Sequence, residues 1–195
     1  MNIRESQFFI GIDVQIKRGC PYLVLNRNRI CVSSGWLVGK SRDEICENLI
    51  RIINGLENNG IEPVAIGIDS PRVPLTAPRQ YFWDGIRTRW RERRDGEQGY
   101  GRHCEVVLKA LNIANPQWTP IKENCPPWME LGFDLFSSLE NRKRVEIFEV
   151  FPTASYAILK GCLNPKVTID FSNFDSGPKD MIDACISAVI VLEYL

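Results

Sequence analysis

The sequence predicts an α/β protein with parallel strands at the centre of its sheet, and two observations support this. The tetrapeptide Ile-Gly-Ile-Asp occurs twice, at 10–13 and 66–69, each time behind other apolar residues and before a break in the pattern. Continuous apolar runs of this kind are typical of central strands in a parallel sheet, because helices cover both faces. A segment with helical periodicity lies between the two runs and predicts the crossover that joins parallel neighbours.

The composition is that of an ordinary globular domain. The chain has 195 residues, of which 44% are apolar, and this is enough for one packed core. No stretch approaches the roughly 18 apolar residues of a membrane span, and the first residues form no signal-peptide pattern, so we expect a cytoplasmic protein without a membrane partner. The net charge is zero, so any attraction for nucleic acid must come from local basic patches.

Cysteine and histidine usage argues against two common kinds of site. The seven cysteines are scattered and include no Cys-x-x-Cys pair, which favours reduced, mostly buried thiols over a disulfide framework or a zinc site. His103 is the only histidine, so a histidine-rich metal site is not expected. It could act as a general base, but a lone histidine beside a cysteine is more often structural.

The first three predicted strands form a meander. The first covers residues 8–15, and two more at 20–25 and 30–37 are rich in Val, Ile, Leu and Tyr. The turn-forming residues 26–28 separate the second strand from the third. We therefore expect three consecutive strands before the first helix.

Ser41 is the predicted N-cap of that helix. Glu44 follows three residues later, in the spacing of a capping box, and apolar residues keep helical spacing until Asn-Asn-Gly at 58–60. A strand at 63–69 comes next. A right-handed crossover through the helix would place this strand parallel to the first one.

Periodicity is lost at about residues 70–101, where proline, arginine and aromatic residues accumulate. We predict a long functional loop or lid here, inserted into a single domain that spans 1–195. Arginine suits phosphates and aromatic rings suit bases, so Arg89, Trp90 and Arg91 are candidate contacts for single-stranded nucleic acid. Alternatively, Trp83 and Trp90 anchor the loop on the domain, and the arginines form a solvated helix face paired with Asp84, Glu92 and Asp95.

The second half of the chain contributes two packing helices, one strand and a last helix. The helices are predicted at 101–111 and 126–139, and the strand at 145–151 carries Glu149 near its end, with Pro152 closing it. Glu149 either joins the aspartates of the earlier strands or is a rim residue paired with a lysine or arginine.

The last helix begins at Gly-Pro, at 177–178, with proline in the tolerated first turn. Asp180 lies in that first turn, where the helix dipole favours an acid, and is interpreted as structural. Asp183 lies among apolar residues, where an unpaired charge would be expensive. Something should therefore compensate Asp183, and a metal ion beside the strand-end aspartates would do so.

Asp13 and Asp69 end the two repeated tetrapeptides. Adjacent strands lie about 4.8 Å apart, so carboxylates at matched strand ends could share divalent metal ions. Ligands of open α/β sheets also bind in the crevice outside these ends. Either aspartate alone could simply start a turn, but the pair favours a functional site.

Five short motifs in order resemble one family. They are Gly-Ile-Asp, Gly-Ile-Asp-Ser-Pro, Arg-x-Cys-Glu, Glu-Val-Phe-Pro and Lys-Asp-x-x-Asp-Ala. This order resembles the predicted nucleases of ribonuclease H-like fold that are catalogued as domain of unknown function 429, from about Phe8 to the end. The chain departs from the family after the first aspartate, where the often glycine-rich stretch reads Val-Gln-Ile-Lys-Arg-Gly.

The resemblance implies a five-stranded mixed sheet in the order 3-2-1-4-5, flanked by helices, with strands four and five parallel to the first. It also implies magnesium, or manganese in its place. The implied catalytic residues and metal ligands are Asp13, Asp69 and Asp183, with Glu149 as a candidate fourth. Arg102 and Glu105 match a family motif and are assigned near the site as substrate-binding residues.

The first functional hypothesis is a magnesium-dependent nuclease, a hydrolase acting on RNA or DNA. Carboxylates suit magnesium, which prefers hard oxygen donors, and two such ions would activate the water and stabilise the leaving oxygen. One alternative is a nucleic-acid-binding module of the same fold that does not cleave. Another is a phosphotransferase or ATPase of the actin-like relatives, but those carry two copies of the domain, and the chain has no P-loop motif.

Overall fold

A computed structural model describes residues 7–160 and 178–195, together with positions 168, 170 and 172. The strands are β1 (Gln7–Asp13), β2 (Cys20–Asn26), β3 (Cys31–Leu37), β4 (Glu62–Asp69), β5 (Tyr81–Asp84), β6 (Arg89–Glu92) and β7 (Glu146–Glu149). The helices are α1 (Arg42–Asn58), α2 (His103–Ala110), α3 (Pro127–Leu139), α4 (Pro152–Leu159) and α5 (Pro178–Tyr194).

Five of the strands form one mixed sheet in the order β3-β2-β1-β4-β7. The pairs β1–β2 and β2–β3 are antiparallel, whereas β4 is parallel to β1 and β7 is parallel to β4. When only the five strands of this sheet are numbered along the chain, the order is 3-2-1-4-5. The predicted α/β class and sheet order are therefore confirmed.

Helices cover both faces of the sheet, which explains the continuous apolar runs. Alternate residues of β1 point to opposite faces. Ile10 and Ile12 pack with apolar residues of α1 and α3, whereas Phe9 packs with residues of α5. The predicted N-cap of α1 is present, because the Ser41 side chain accepts a hydrogen bond of 3.2 Å from the Glu44 backbone N–H.

Gly11 and Gly67, in the middle of β1 and β4, let α5 approach the sheet closely. A Cβ on Gly11 would overlap the carbonyl oxygen of Ala184, and one on Gly67 would lie 2.6 Å from the carbonyl oxygen of Ser187. These are backbone atoms of a helix, which cannot move aside as a flexible side chain can. The glycine of the repeated tetrapeptide therefore sets the depth at which α5, and Asp183 with it, lies on the strands.

Gly11→Ala is expected to destabilise the protein by about 3 kcal/mol, because α5 must lift from the sheet to admit the methyl group. Urea unfolding measures the change in the free energy of unfolding. Gly55→Ala is the matched control, since a Cβ there meets no atom within 4 Å and the residue lies inside α1. It should stabilise by about 1 kcal/mol. Equal effects of the two substitutions would contradict the close approach of α5.

Residues 70–101 contain an ordered hairpin, where the sequence predicted a long loop. β5 and β6 pair antiparallel, with Trp83 opposite Trp90. The Asp84 side chain accepts hydrogen bonds of 3.2 and 3.1 Å from the backbone N–H groups of Ile86 and Arg87 and so closes the turn. Each strand has only four residues, too few for an alternating pattern to stand out from the arginine-rich surroundings.

The strand predicted at 145–151 is shorter than expected. β7 ends at Glu149, and Pro152 begins α4 instead of only closing the strand. The carbonyl oxygen of Phe151 accepts hydrogen bonds of 3.0 and 3.1 Å from the N–H groups of Ala154 and Ser155. Proline is well tolerated in a first helical turn, which is why a strand terminator could also start a helix.

All six cysteines in the part of the chain that the structure describes are free, as predicted, and three of them are buried. Cys162 and the predicted helix start at Gly177 lie outside the described residues. None of the described helices is both long and apolar enough to cross a bilayer.

Candidate active site

Asp13 and Asp69 lie side by side at the carboxyl ends of two neighbouring strands. They are the last residues of β1 and β4, and they are register partners in this parallel pair. The two tetrapeptides align residue for residue, so both carboxylates reach the same edge of the sheet. The crevice outside this edge is where open α/β sheets bind ligands.

Helix α5 brings Asp183 to the same edge. Its carboxylate is buried, and each of its oxygens accepts a hydrogen bond of 2.5 Å, one from the Tyr156 hydroxyl and one from the Lys179 ammonium. The expected compensation of Asp183 therefore exists, but two groups of the chain supply it. Lys179, one helical turn before Asp183, could have been found from its spacing, whereas nothing in the sequence pointed to Tyr156.

The aspartates influence one another electrostatically. Burial first, and then the charge of Asp183, raise the pKa of Asp13 to about 7. Burial, followed by the charges of Asp13 and Asp183, raises the pKa of Asp69 to about 8. The Lys179 ammonium opposes both shifts. At neutral pH and without a further cation, the cluster therefore holds at least one proton.

Glu149 lies near this cluster, but its carboxylate is already paired. Arg102 donates two hydrogen bonds to it, one of them 2.5 Å long, and the Arg72 backbone N–H donates another of 2.9 Å. Glu149 thus forms an ion pair with an arginine, as expected from the interpretation of Glu149 as a rim residue. Its charge still contributes to the raised pKa of Asp69.

Glu105 is buried and holds Arg102 in place. It accepts hydrogen bonds of 3.1 and 3.0 Å from the backbone N–H and Nε of Arg102. Thr119 donates two more, one of 2.9 Å from its backbone N–H and one from its hydroxyl. The Arg102 guanidinium consequently bridges Glu105 and Glu149, and both acids raise the pKa of Arg102 above its ordinary value.

The acids of this site and their two cationic partners line one cavity of about 700 Å³. These residues are Asp13, Asp69, Glu105, Glu149, Asp183, Arg102 and Lys179. Four helices begin at this cavity, and the second residue of each helix lines it. These residues are Cys104, Trp128, Thr153 and Lys179. The positive ends of the helix dipoles therefore lie near the carboxylates and partly offset their charge.

The donor set matches a hard divalent cation in kind, since three carboxylates face a cavity and two of them have strongly raised pKa values. Among the described residues, however, no three Asp, Glu, His or Cys side chains are grouped closely enough to surround one ion. Lys179 and Tyr156 engage both oxygens of Asp183.

The three hairpin residues predicted to contact nucleic acid, Arg89, Trp90 and Arg91, differ in their surroundings. Arg91 is paired with Glu97 through hydrogen bonds of 2.8 and 2.5 Å, and it lies over the Phe82 ring. Arg91 therefore stabilises the hairpin, but it lies on a strand and not on the predicted helix face, and its acidic partner is Glu97. Arg89 is exposed on β6.

Trp90 anchors the hairpin on α2. Its ring stacks on His103, with centroids 5.8 Å apart, and meets the Trp83 ring edge-on at 5.5 Å. Trp90 nevertheless keeps 43% of its surface exposed. His103 lines a second cavity beside the hairpin and not the cavity of the carboxylates.

Comparison with known proteins finds no matching family model and no curated protein of similar sequence. The functional interpretation therefore depends on the residues of the carboxylate cavity. Those residues come mainly from β1, β4, the end of β7 and the helices α2, α3, α4 and α5.

Proposed function

We propose that this protein is a nuclease of ribonuclease H-like fold that hydrolyses phosphodiester bonds in RNA or DNA with magnesium or manganese. The observation that carries the proposal is the meeting of Asp13, Asp69 and Asp183 at one cavity on the strand ends. The order of the sheet and the position of Asp183 on the last helix also agree with the fold that the resemblance of the five motifs implies.

Asp13 and Asp69 would hold the metal, with Asp183 as a third ligand and Glu149 as a candidate fourth. When bound, divalent ions lower the pKa of an attached water and neutralise negative charge on the phosphate. Their charge would also offset the burial and the mutual repulsion that raise the pKa values of Asp13 and Asp69.

The chain's own cations bind and orient the substrate. Arg102, fixed by Glu105, presents a guanidinium at the cavity and suits a phosphate oxygen. The Lys179 side chain is 78% exposed and is therefore able to turn from Asp183 toward a phosphate.

A non-cleaving nucleic-acid module is the second candidate function. One observation favours it: Lys179 and Tyr156 occupy both oxygens of Asp183, so that the chain itself supplies the cation of the cluster. In that case Lys179 would replace the metal permanently, and binding would not depend on divalent ions.

Incubation of purified protein with labelled single-stranded, duplex, hybrid and branched substrates, with magnesium or manganese, separates the two functions. We expect metal-dependent cleavage that EDTA stops and that Asp69→Asn lacks. Binding of nucleic acid without any cleavage, at the same affinity with and without metal, would support the non-cleaving module.

Exposed arginines of the hairpin are expected to contribute to binding. Replacing Arg87, Arg89 and Arg93 together by glutamine should weaken binding and reduce the slope of log affinity against log salt by about 2, since each lost phosphate contact removes roughly 0.7 to 0.9. Fluorescence anisotropy over a salt series measures this slope.

The matched control removes three exposed cations elsewhere, Arg51, Lys143 and Arg144. It should leave the slope within experimental error. If both triple variants changed the slope equally, the hairpin would have no special part in binding nucleic acid.

A further inference from the structure

The carboxylate cavity is larger and more apolar than a metal site and a phosphate require. Its volume of about 700 Å³ lies within the roughly 300–1,000 Å³ of small-molecule sites. Beyond the acids and cations, much of its lining is apolar. These apolar residues include Val14, Ile16, Pro71, Leu108, Trp128 and Phe151.

Trp128 and Leu108 are well placed to contact a flat ligand. Trp128 is the second residue of α3, is half-buried and packs against the core, while also lining the cavity. Leu108, on α2, is half-buried and lines the same cavity. An aromatic wall of this kind suits a ring that stacks, as nucleobases do on tryptophan.

Polar groups accompany the apolar wall. Gln117 and Thr153 line the cavity and offer an amide and a hydroxyl, which can both donate and accept hydrogen bonds. A nucleobase has an apolar face and polar edges, so the lining matches it in both respects. A phosphate alone could accept hydrogen bonds from these polar groups but would leave the apolar wall without a partner.

We propose that the cavity receives one unpaired nucleotide of a single-stranded nucleic acid, with its phosphate at the carboxylates and its base against Trp128 and Leu108. This inference rests on the proposed nuclease function and narrows its substrate class. In a duplex the base is stacked and paired, so it must be extruded before it can enter, whereas a single strand has no such cost. The enzyme should therefore bind single strands more tightly than duplexes.

The test compares a single strand of about 12 nucleotides with the blunt duplex of the same sequence. Anisotropy is measured in metal-free buffer, which prevents cleavage. We expect the single strand to bind on the order of tenfold more tightly than the duplex, because stacking of one base on an aromatic side chain contributes about this factor.

Leu108→Trp should fill the cavity, lowering single-strand affinity on the order of tenfold while leaving duplex binding and the melting temperature unchanged. Leu111→Trp is the matched control, because it adds the same ring at a position that is 65% exposed and outside the cavity. It should change nothing.

Tryptophan fluorescence gives a second measurement that does not depend on the Leu108 variant. Single-strand binding should quench emission in the wild type, and much of this change should be lost in Trp128→Phe, which keeps a stacking ring and most of the affinity. Equal binding of both strand forms, together with indifference to Leu108→Trp, would overturn this inference alone. Failure to bind any oligonucleotide, both in this buffer and with magnesium, would overturn the proposed function as well.

Discussion

Replacing Asp69 by asparagine is expected to abolish metal-dependent cleavage and, in metal-free buffer, to raise the melting temperature. The asparagine lacks the charged carboxylate oxygen that a metal ion would bind. Cleavage should therefore slow by roughly a thousandfold or more. The same change removes a carboxyl whose ionisation burial and two neighbouring aspartates oppose. Catalysis and stability should therefore change in opposite directions, as expected where a site is strained for its task.

The stability gain should depend on pH in a defined direction. The pKa of Asp69 rises from 3.8 to about 8 on folding, so between these values the folded protein holds a proton that the unfolded chain has lost. Wild-type stability consequently falls as the pH rises through this window. The advantage of the asparagine variant should be absent below about pH 4, grow with pH, and reach at most about 5 kcal/mol near pH 8.

Thermal melts in EDTA from pH 4 to 9, beside a cleavage assay with magnesium, test both parts. Asp95→Asn is the control, because it removes an aspartate that is exposed and does not line the cavity. Its melting temperature should follow that of the wild type at every pH. An Asp69→Asn protein that is destabilised at pH 8, and still cleaves, would mean that Asp69 is an ordinary structural residue.

Glu105→Ala is expected to destabilise the protein by about 3 to 5 kcal/mol. The substitution leaves the Arg102 guanidinium and both donors of Thr119 without their buried acceptor. Unfolding in urea measures the effect, and binding of nucleic acid should weaken as well, because Arg102 loses the group that orients it.

Glu47→Ala removes an exposed glutamate of another helix and serves as the comparison, with an expected change within about 0.5 kcal/mol. Similar unfolding midpoints for the two variants would show that the hydrogen bonds of Glu105 contribute little to stability. Loss of binding without loss of stability would instead assign Glu105 a direct contact with substrate.

The sheet and the paired aspartates could be predicted because they depend on local patterns. Strands buried on both faces read as continuous apolar runs, and the repeated tetrapeptide gives Asp13 and Asp69 equivalent positions in the register. The glycine of the repeat could also be seen in the sequence, but the structural reason for a glycine at this position could not. It depends on how closely the backbone of α5 lies against Gly11 and Gly67.

The partners Arg102 of Glu149 and Tyr156 of Asp183 could not be predicted, since these contacts join distant parts of the chain. Arg102 and Glu149 are 47 residues apart, and Tyr156 and Asp183 are 27 apart. The helix that carries Tyr156 was also missing from the prediction, because Pro152 reads equally well as the end of a strand. The candidate metal ligands could thus be named from the sequence, but the side chains that are hydrogen-bonded to them in the structure could not.

The central claim is that Asp13, Asp69 and Asp183 together hold a divalent ion. Crystals soaked in manganese chloride test it most directly, since manganese binds oxygen ligands and gives an anomalous signal. We predict an anomalous peak between the carboxylates of Asp13 and Asp69, with the Lys179 ammonium moved away from Asp183. Absence of a peak at saturating manganese, with Lys179 still paired to Asp183, would contradict the metal site and the nuclease mechanism built on it.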